Sequence, residues 1–398
     1  MITVEEATKI VLENTIDFGT EEVPLTQTVG RLLAEELIAD RDFPPFTRVT
    51  MDGISLNYAD FATGQREFPI EGMQAAGSPQ QTRQKAGHCL EVMTGAILPE
   101  NTDTVIRYED LEINNGKAKV MIDAVREKQN AHQQGSDRKK GAVIVTKGRL
   151  ISPAEIGIAA TVGKSSLQVR KLPKVAIIYT GDELVEINAT PLPHQIRTSN
   201  AYTIAAAFSK WGIQPDLLHI VDDMEATKAK LQQCLDKFDV LVLSGGVSKG
   251  KFDYVPEAFA QLGVKKLFHR IKQRPGKPFW FGRAEDDTVI FALPGNPVSS
   301  FMCATRYFQP WLRKSFGLEP MAYAYATLTQ DFSFKPDLTY FLQVKVSYDP
   351  RGRVLATPVE GRGSGDLANL VDADAFLELP RTKEHFRKGE VYPLLFYR

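Results

Sequence analysis

Apolar residues recur at helical spacing over 4–17 (Val4, Ala7, Ile10, Val11) and predict an amphipathic helix. Residues 28–39 read as a second short helix running into a strand. The prolines of Asp42-Phe43-Pro44-Pro45-Phe46 stop regular structure and mark a linker. From 46 to 138 the pattern changes to short alternating strands separated by Gly and Pro turns, as in 88–92 and 119–122. Residues 141–170 resume the mixed pattern of the N-terminal segment, with a helix over 152–162 ended by Gly163. The expected organisation is a discontinuous α/β first domain, 1–45 and 139–171, interrupted by an inserted β-rich domain, 46–138.

The continuous apolar run 174–179 predicts a strand covered on both faces, as in a parallel sheet. Helix (200–211, ended by Gly212), strand (214–221), helix (224–238) and strand (239–243) follow, then a strand over 288–293 and a helix over 298–312. Such alternation means right-handed βαβ units in a three-layer α/β/α sandwich, assigned to 172–316. After about 318 only strands are expected (325–328, 342–346, 375–379), forming a small C-terminal β-barrel over 317–398. The fold class is therefore α/β multidomain.

Composition narrows the function classes. With 48 Lys and Arg against 49 Asp and Glu, no broad basic field argues for nucleic acid, so an anionic ligand must be held by local devices. The opening MITVEEATKI lacks the basic start and apolar run of a signal peptide, and no apolar window is long enough for a bilayer span. Three separated cysteines (Cys89, Cys234, Cys303) argue against a disulfide framework. A cytoplasmic protein is expected.

Three strand-end loops have unusual chemistry, and ligands of open parallel sheets sit at such ends. In Ser244-Gly245-Gly246-Val247-Ser248, leading to Asp253, adjacent glycines allow positive φ and inward-turned N–H groups. With the two serine hydroxyls this suits a phosphate-type anion; a plain strand–helix turn is the alternative. Thr180-Gly181-Asp182-Glu183 and Asp222-Asp223 place carboxylates at neighbouring strand ends. They would repel each other and any nearby anion unless a hard cation such as Mg²⁺ intervenes; the alternative is that Asp182 caps a helix and Asp222 or, in preference, Asp223 caps the helix over 224–238. Arg274-Pro275-Gly276-Lys277-Pro278 and Leu293-Pro294-Gly295-Asn296-Pro297 are rigid loops. Arg274 and Lys277 would project from them as fixed cations for an oxyanion or pyrophosphate, with the helix from 298 aiming its positive end the same way; common Pro-Gly connectors are the alternative. On composition, Met51-Asp52-Gly53-Ile54-Ser55 and Met93-Thr94-Gly95-Ala96-Ile97-Leu98-Pro99 read as turns.

In these segments the chain resembles the molybdopterin molybdenumtransferases, bacterial cofactor-insertion enzymes related to the gephyrin E domain. The resemblance is carried by Pro45-Phe46 through Met51-Asp52-Gly53, Met93-Thr94-Gly95-Ala96, Thr180-Gly181-Asp182-Glu183-Leu184, Ser244-Gly245-Gly246-Val247-Ser248 with Asp253, Pro275-Gly276-Lys277-Pro278 and Leu293-Pro294-Gly295-Asn296-Pro297. They stand in the family's order and spacing across nearly the whole chain. The resemblance implies insertion of molybdate into adenylylated molybdopterin with Mg²⁺-dependent release of AMP. It also implies an elongated homodimer of four-domain subunits, with the cleft between the third domain of one and the second domain of the other, and transient contact with the molybdopterin adenylyltransferase. Carried over by position, Asp52, Thr94, Glu183, Asp222, Asp253 and Lys277 match residues important for activity. Ser244, Gly245, Gly246, Ser248, Arg274, Pro294, Asn296, Pro297, Asp137 and Ser364 would line the cofactor site, with Mg²⁺ on Glu183 and Asp253. Three positions depart from the family: Arg274 and His132 stand for its usual lysine and arginine, and Ser136 for its usual glutamate. The weighed alternatives are the adenylyltransferase itself, which lacks the flanking domains, and a non-catalytic scaffold of gephyrin type. A nicotinamide enzyme is excluded because no G-x-G-x-x-G follows either buried strand.

Overall fold

Strands with two buried faces organise the larger half of the molecule. The computed structural model describes residues 1–247, 254–321, 324–359, 361 and 363–398; Ser248 and Asp253 lie outside them. The chain forms two compact units, Met1–Val23 with Thr28–Ala34 and Gln168–Arg398, and Pro24–Gln27 with Glu35–Leu167.

In the first unit a six-stranded sheet runs in the order Asp216–Ile220, Val175–Thr180, Val240–Ser244, Val289–Leu293, Trp280–Arg283, Lys265–His269. The first four strands are parallel and the last two antiparallel. Period-two alternation divides the side chains between two cores. Val175, Ile177, Val240, Val242, Val289 and Phe291 pack on one face with Ile204, Phe208 and Phe308. Ala176, Ile178, Leu241, Leu243 and Ile290 pack on the other with Leu231, Val255 and Phe259. Both faces are thus covered, which is why these strands read as unbroken apolar runs. The chain passes from Val175–Thr180 to a neighbour on one side and then to Val240–Ser244 on the other. The order reverses between these two strands.

Helices form over Asn200–Ser209, Met224–Leu235 and Val255–Gln261. The helix expected from 298 begins at Pro297 but is not uniform: residues Ala304–Phe308 form a π-helical segment between α-helical Pro297–Cys303 and Gln309–Ser315. Beyond it, Thr339–Tyr348, Val354–Pro358, Ala324–Leu328, Val391–Phe396 and Ala375–Leu379 pair in turn, and the last pairs back to the first, closing a barrel. The short strand Gln273–Arg274 is added to its edge, parallel to Thr339–Tyr340.

The second unit holds a six-stranded sheet in the order Thr104–Arg107, Gly53–Leu56, Cys89–Val92, Glu67–Gln74, Lys117–Val120, Leu111–Asn114. Two expectations for residues 28–55 fail, and a short helix, Asn369–Asp372, interrupts the strands expected after 318. Residues 28–39 form no helix: Gly30 takes φ +80, Leu33 bridges Val169, and only Leu37–Ile38 is regular. The segment 51–55, expected as a turn, enters the fully buried strand Gly53–Leu56. Gly53 is required there, since an added Cβ would lie 1.9 Å from the Ile106 carbonyl oxygen. All three cysteines are free and buried, and no described helix is long and apolar enough to cross a membrane.

Candidate functional site

At the point where strand order reverses, the carboxyl ends of the parallel strands open onto a crevice of about 670 Å³. The register pairs Tyr179 with Ser244 and Ser244 with Leu293, so the loops that follow leave the sheet side by side. Gly245 and Gly246 adopt φ +101 and +69, and Cβ atoms built on either would approach Thr180 Oγ1 to 3.1 Å. A Cβ built on Gly295 would lie 3.5 Å from the Gly245 Cα, an ordinary contact. Glycine at 245 and 246 is what lets this turn close against Thr180. Contrary to expectation, the two glycine amides do not both turn inward: the Gly245 N–H donates to Leu293 O at 3.1 Å.

Of the predicted residues, Glu183, Asp222, Ser244, Gly245, Gly246, Pro294, Asn296 and Pro297 all line this crevice. The Glu183 carboxylate folds over Gly181, where a Cβ would come within 2.4 Å of its Oε2. That loop is held from below: Tyr179 donates its hydroxyl to Glu186 (3.2 Å), His219 Nε2 donates to Gly181 O (3.1 Å), and Asp182 accepts the Asp222 N–H (3.2 Å). Asp182 therefore ties two loops together. Asp223 caps the helix Met224–Leu235 by accepting the Ala226 N–H at 2.8 Å, which leaves Asp222 as the crevice-facing member of the pair. On the glycine-loop side, His269 Nε2 donates to Val247 O at 3.2 Å, and burial keeps its imidazole pKa below the ordinary value.

Asn200, which composition did not single out, also lines the crevice. Its amide donates to Ser244 Oγ (3.0 Å) and Gly295 O (2.6 Å), while its Oδ1 is buried without a partner among the described residues. The sequence signal was a polar Thr198-Ser199-Asn200 run at a helix start, which reads equally well as a cap.

Arg274 and Ser364 line a separate small pocket of about 60 Å³, together with Tyr340 and Gln343. Gln343 is nine-tenths buried, and its Nε2 has no partner among the described residues. Asn296 joins this pocket to the crevice, donating to Ser364 Oγ at 2.9 Å. Lys277 is exposed, beside the crevice-lining Pro278.

Asp52, Thr94 and Asp137 belong to the second unit. Gly53 pairs with Val92 in the antiparallel register, which brings Asp52 and Thr94 together at the strand ends. Asp52 Oδ1 accepts the Thr94 N–H at 2.6 Å and its hydroxyl at 2.7 Å, holding the carboxyl below its ordinary pKa. His132 Nε2 lies 2.8 Å from Asp137 Oδ1, and its Nδ1 lies 3.5 Å from Arg48.

Comparison with known proteins covers both units. Residues 2–163 match the MoeA N-terminal region (domain I and II), 176–314 a probable molybdopterin binding domain, and 325–396 the MoeA C-terminal region (domain IV). The chain is 41% identical to a molybdopterin molybdenumtransferase of Synechocystis sp., with 99% of both chains covered. It is 32% identical to one of Bacillus subtilis, covering 100% of this chain and 94% of the other. A molybdopterin biosynthesis moeA protein from Pyrococcus horikoshii aligns with a TM-score of 0.84 at 30% identity, covering 100% of this chain and 99% of that one.

Proposed function

The chain belongs to the MoeA family of molybdopterin molybdenumtransferases, and we propose that adenylylated molybdopterin lies along the crevice at the sheet's switch point with its pyrophosphate against the glycine loop. The reaction is that of the family's transferases. The regions flanking the molybdopterin-binding domain favour it over the adenylyltransferase reading. One observation carries the site assignment: the Gly245–Gly246 turn, Glu183 and Asp222 open onto a single crevice.

The chain's own groups divide the work. The Gly246 region and Ser244 receive phosphate oxygens, and Asn200 keeps the two loops at a fixed spacing. Lys277 supplies positive charge beside the crevice, and Arg274 supplies it in the small pocket. The small pocket has a cation and a buried amide donor that is unpaired among the described residues, and a buried donor without a partner costs free energy until an acceptor arrives. It therefore suits a compact oxyanion, and molybdate as substrate is the oxyanion this reaction uses.

Glu183 and Asp222 fit Mg²⁺, which takes one or two carboxylates and completes its shell with phosphate oxygens and water. Among the described residues no group of three ligating side chains forms, and Asp253, the other expected ligand, lies outside them. Bound there, the ion would neutralise charge on the phosphoanhydride. The homodimer, with Asp52, Thr94 and Asp137 acting across it, the adenylyltransferase contact, the cytoplasmic location and the four-domain division belong to the same proposal.

The test measures AMP released from adenylylated molybdopterin on adding molybdate. Glu183→Ala should abolish release while circular dichroism and Tm stay near wild type; a wild-type rate removes Glu183 from the mechanism. Product formed from ATP and free molybdopterin by the pure protein would restore the adenylyltransferase reading.

A further inference from the structure

We propose that Gln273 and Tyr307 are positioning residues whose buried hydrogen-bonded bridge sets the loop bearing Arg274 and Lys277. The inference rests on the reading that this loop serves the substrate's anions. Gln273 is completely buried, although its neighbour Arg274 is exposed. Its side chain turns back beneath the loop: Nε2 donates to Gly276 O at 3.1 Å and lies 3.4 Å from Cys303 Sγ. Its Oε1 accepts the Tyr307 hydroxyl at 2.5 Å.

The chemistry of the pair makes the arrangement directional. The Gly276 carbonyl can only accept, which fixes the amide with its NH₂ toward Gly276; the amide oxygen then faces Tyr307, whose hydroxyl must donate. A glutamine with no exposure would be costly unless both ends were satisfied, and here they are. Gly276 is clamped from the same side. It takes φ +88, and a Cβ would fall 2.5 Å from Cys303 Sγ and 2.7 Å from Gln273 Nε2. The turn therefore sits directly on the helix that begins at the crevice, with Arg274 before it and Lys277 after it.

Tyr307, 1% exposed, belongs to the π-helical segment Ala304–Phe308. A π turn adds a residue to the helix and is frequent at functional sites. In this chain the irregular turn carries the side chain that holds the glutamine amide from beneath. The aromatic ring of Tyr307 packs against Phe279 at 5.1 Å between centroids, so a phenylalanine would keep the packing and lose only the hydroxyl.

The experiment uses the full chain and molybdate-dependent AMP release. Tyr307→Phe should lower kcat/KM by about tenfold or more, as expected for displaced binding groups, with a Tm loss of a few degrees. The double variant Gln273→Met with Tyr307→Phe removes both polar partners together. It should keep or deepen the kinetic defect even well below its Tm, because Gly276 O has now lost its donor as well. A merely structural bridge would let activity follow Tm. Wild-type kcat/KM in Tyr307→Phe, or recovery of activity together with Tm in the double variant, overturns the proposal; should Tyr307→Phe fail to fold, the double variant decides. Arg274→Ala and Lys277→Ala separate the two levels of the argument. If both are fully active, the reading of the loop itself fails. If they are impaired while Tyr307→Phe is not, only the bridge fails.

Discussion

Replacing Gly246 by alanine tests the glycine turn directly. The backbone there has φ +69, a region that costs an L-residue about 1–2 kcal/mol. The new methyl would also stand 2.7 Å from Val255 Cγ2 and 3.1 Å from Thr180 Oγ1. Val255 is buried in the core beneath the loop and cannot swing away, so overpacking adds about 1–3 kcal/mol. The sum, about 2–5 kcal/mol, corresponds to a Tm loss on the order of 5–15 °C for a unit of this size. Relief by moving the loop outward displaces the Gly246 amide, and a shift of about 1 Å in a binding group can cost about 10²-fold in rate. Differential scanning calorimetry and molybdate-dependent AMP release measure the two consequences. Gly19→Ala is the control. It has φ +75 but nothing within 4 Å of a new Cβ, so it should show the backbone cost alone and wild-type kinetics. If Gly246→Ala matched Gly19→Ala in both assays, the close approach of the loops would not be what positions the amide.

Asn200→Ala removes two hydrogen bonds between strand-end loops. At about 1 kcal/mol each, and with water replacing part of the loss, affinity for adenylylated molybdopterin should fall by about tenfold by isothermal titration; unchanged affinity would make Asn200 a bystander. In the second unit, the Asp52 carboxyl titrates below its ordinary 3.8 because Thr94 donates twice to it. A folded-state pKa below the unfolded one means that the stabilisation is complete above about pH 4 and is lost as pH falls through the lowered folded value. An NMR titration should therefore place Asp52 below 3.8 in the wild type and closer to it in Thr94→Ala; a normal midpoint in the wild type would refute the pairing.

What could be read from the chain depended on whether a feature is local. The runs 174–179 and 239–243 announced themselves because strands with two covered faces need apolar residues at every position, and the barrel strands alternate. The helix expected over 28–39 failed because Gly30 adopts a left-handed conformation, which periodicity does not register. Asp52 and Thr94 had no visible task in composition, since only the Gly53–Val92 register brings them together. Gln273 and Tyr307 carry no local signal for the same reason, since their contact joins positions 34 residues apart.

The same distinction explains why the glycines were legible and their partners were not. A positive φ or a close backbone approach excludes every side chain, so the requirement is written at the position that meets it. A donor such as Asn200 is defined by where its acceptors lie, and those come from strands 44 and 95 residues away. Their spacing follows from topology. The chain leaves Val175–Thr180, pairs Asp216–Ile220 on one side, and only then places Val240–Ser244 on the other. At that reversal the loops after Thr180, Ser244 and Leu293 leave the sheet side by side and line one crevice. A pyrophosphate needs several donors within one diphosphate length, and a sheet supplies them only where adjacent strand ends are both open. The crevice therefore follows from the strand order, and the residues that line it set its chemistry.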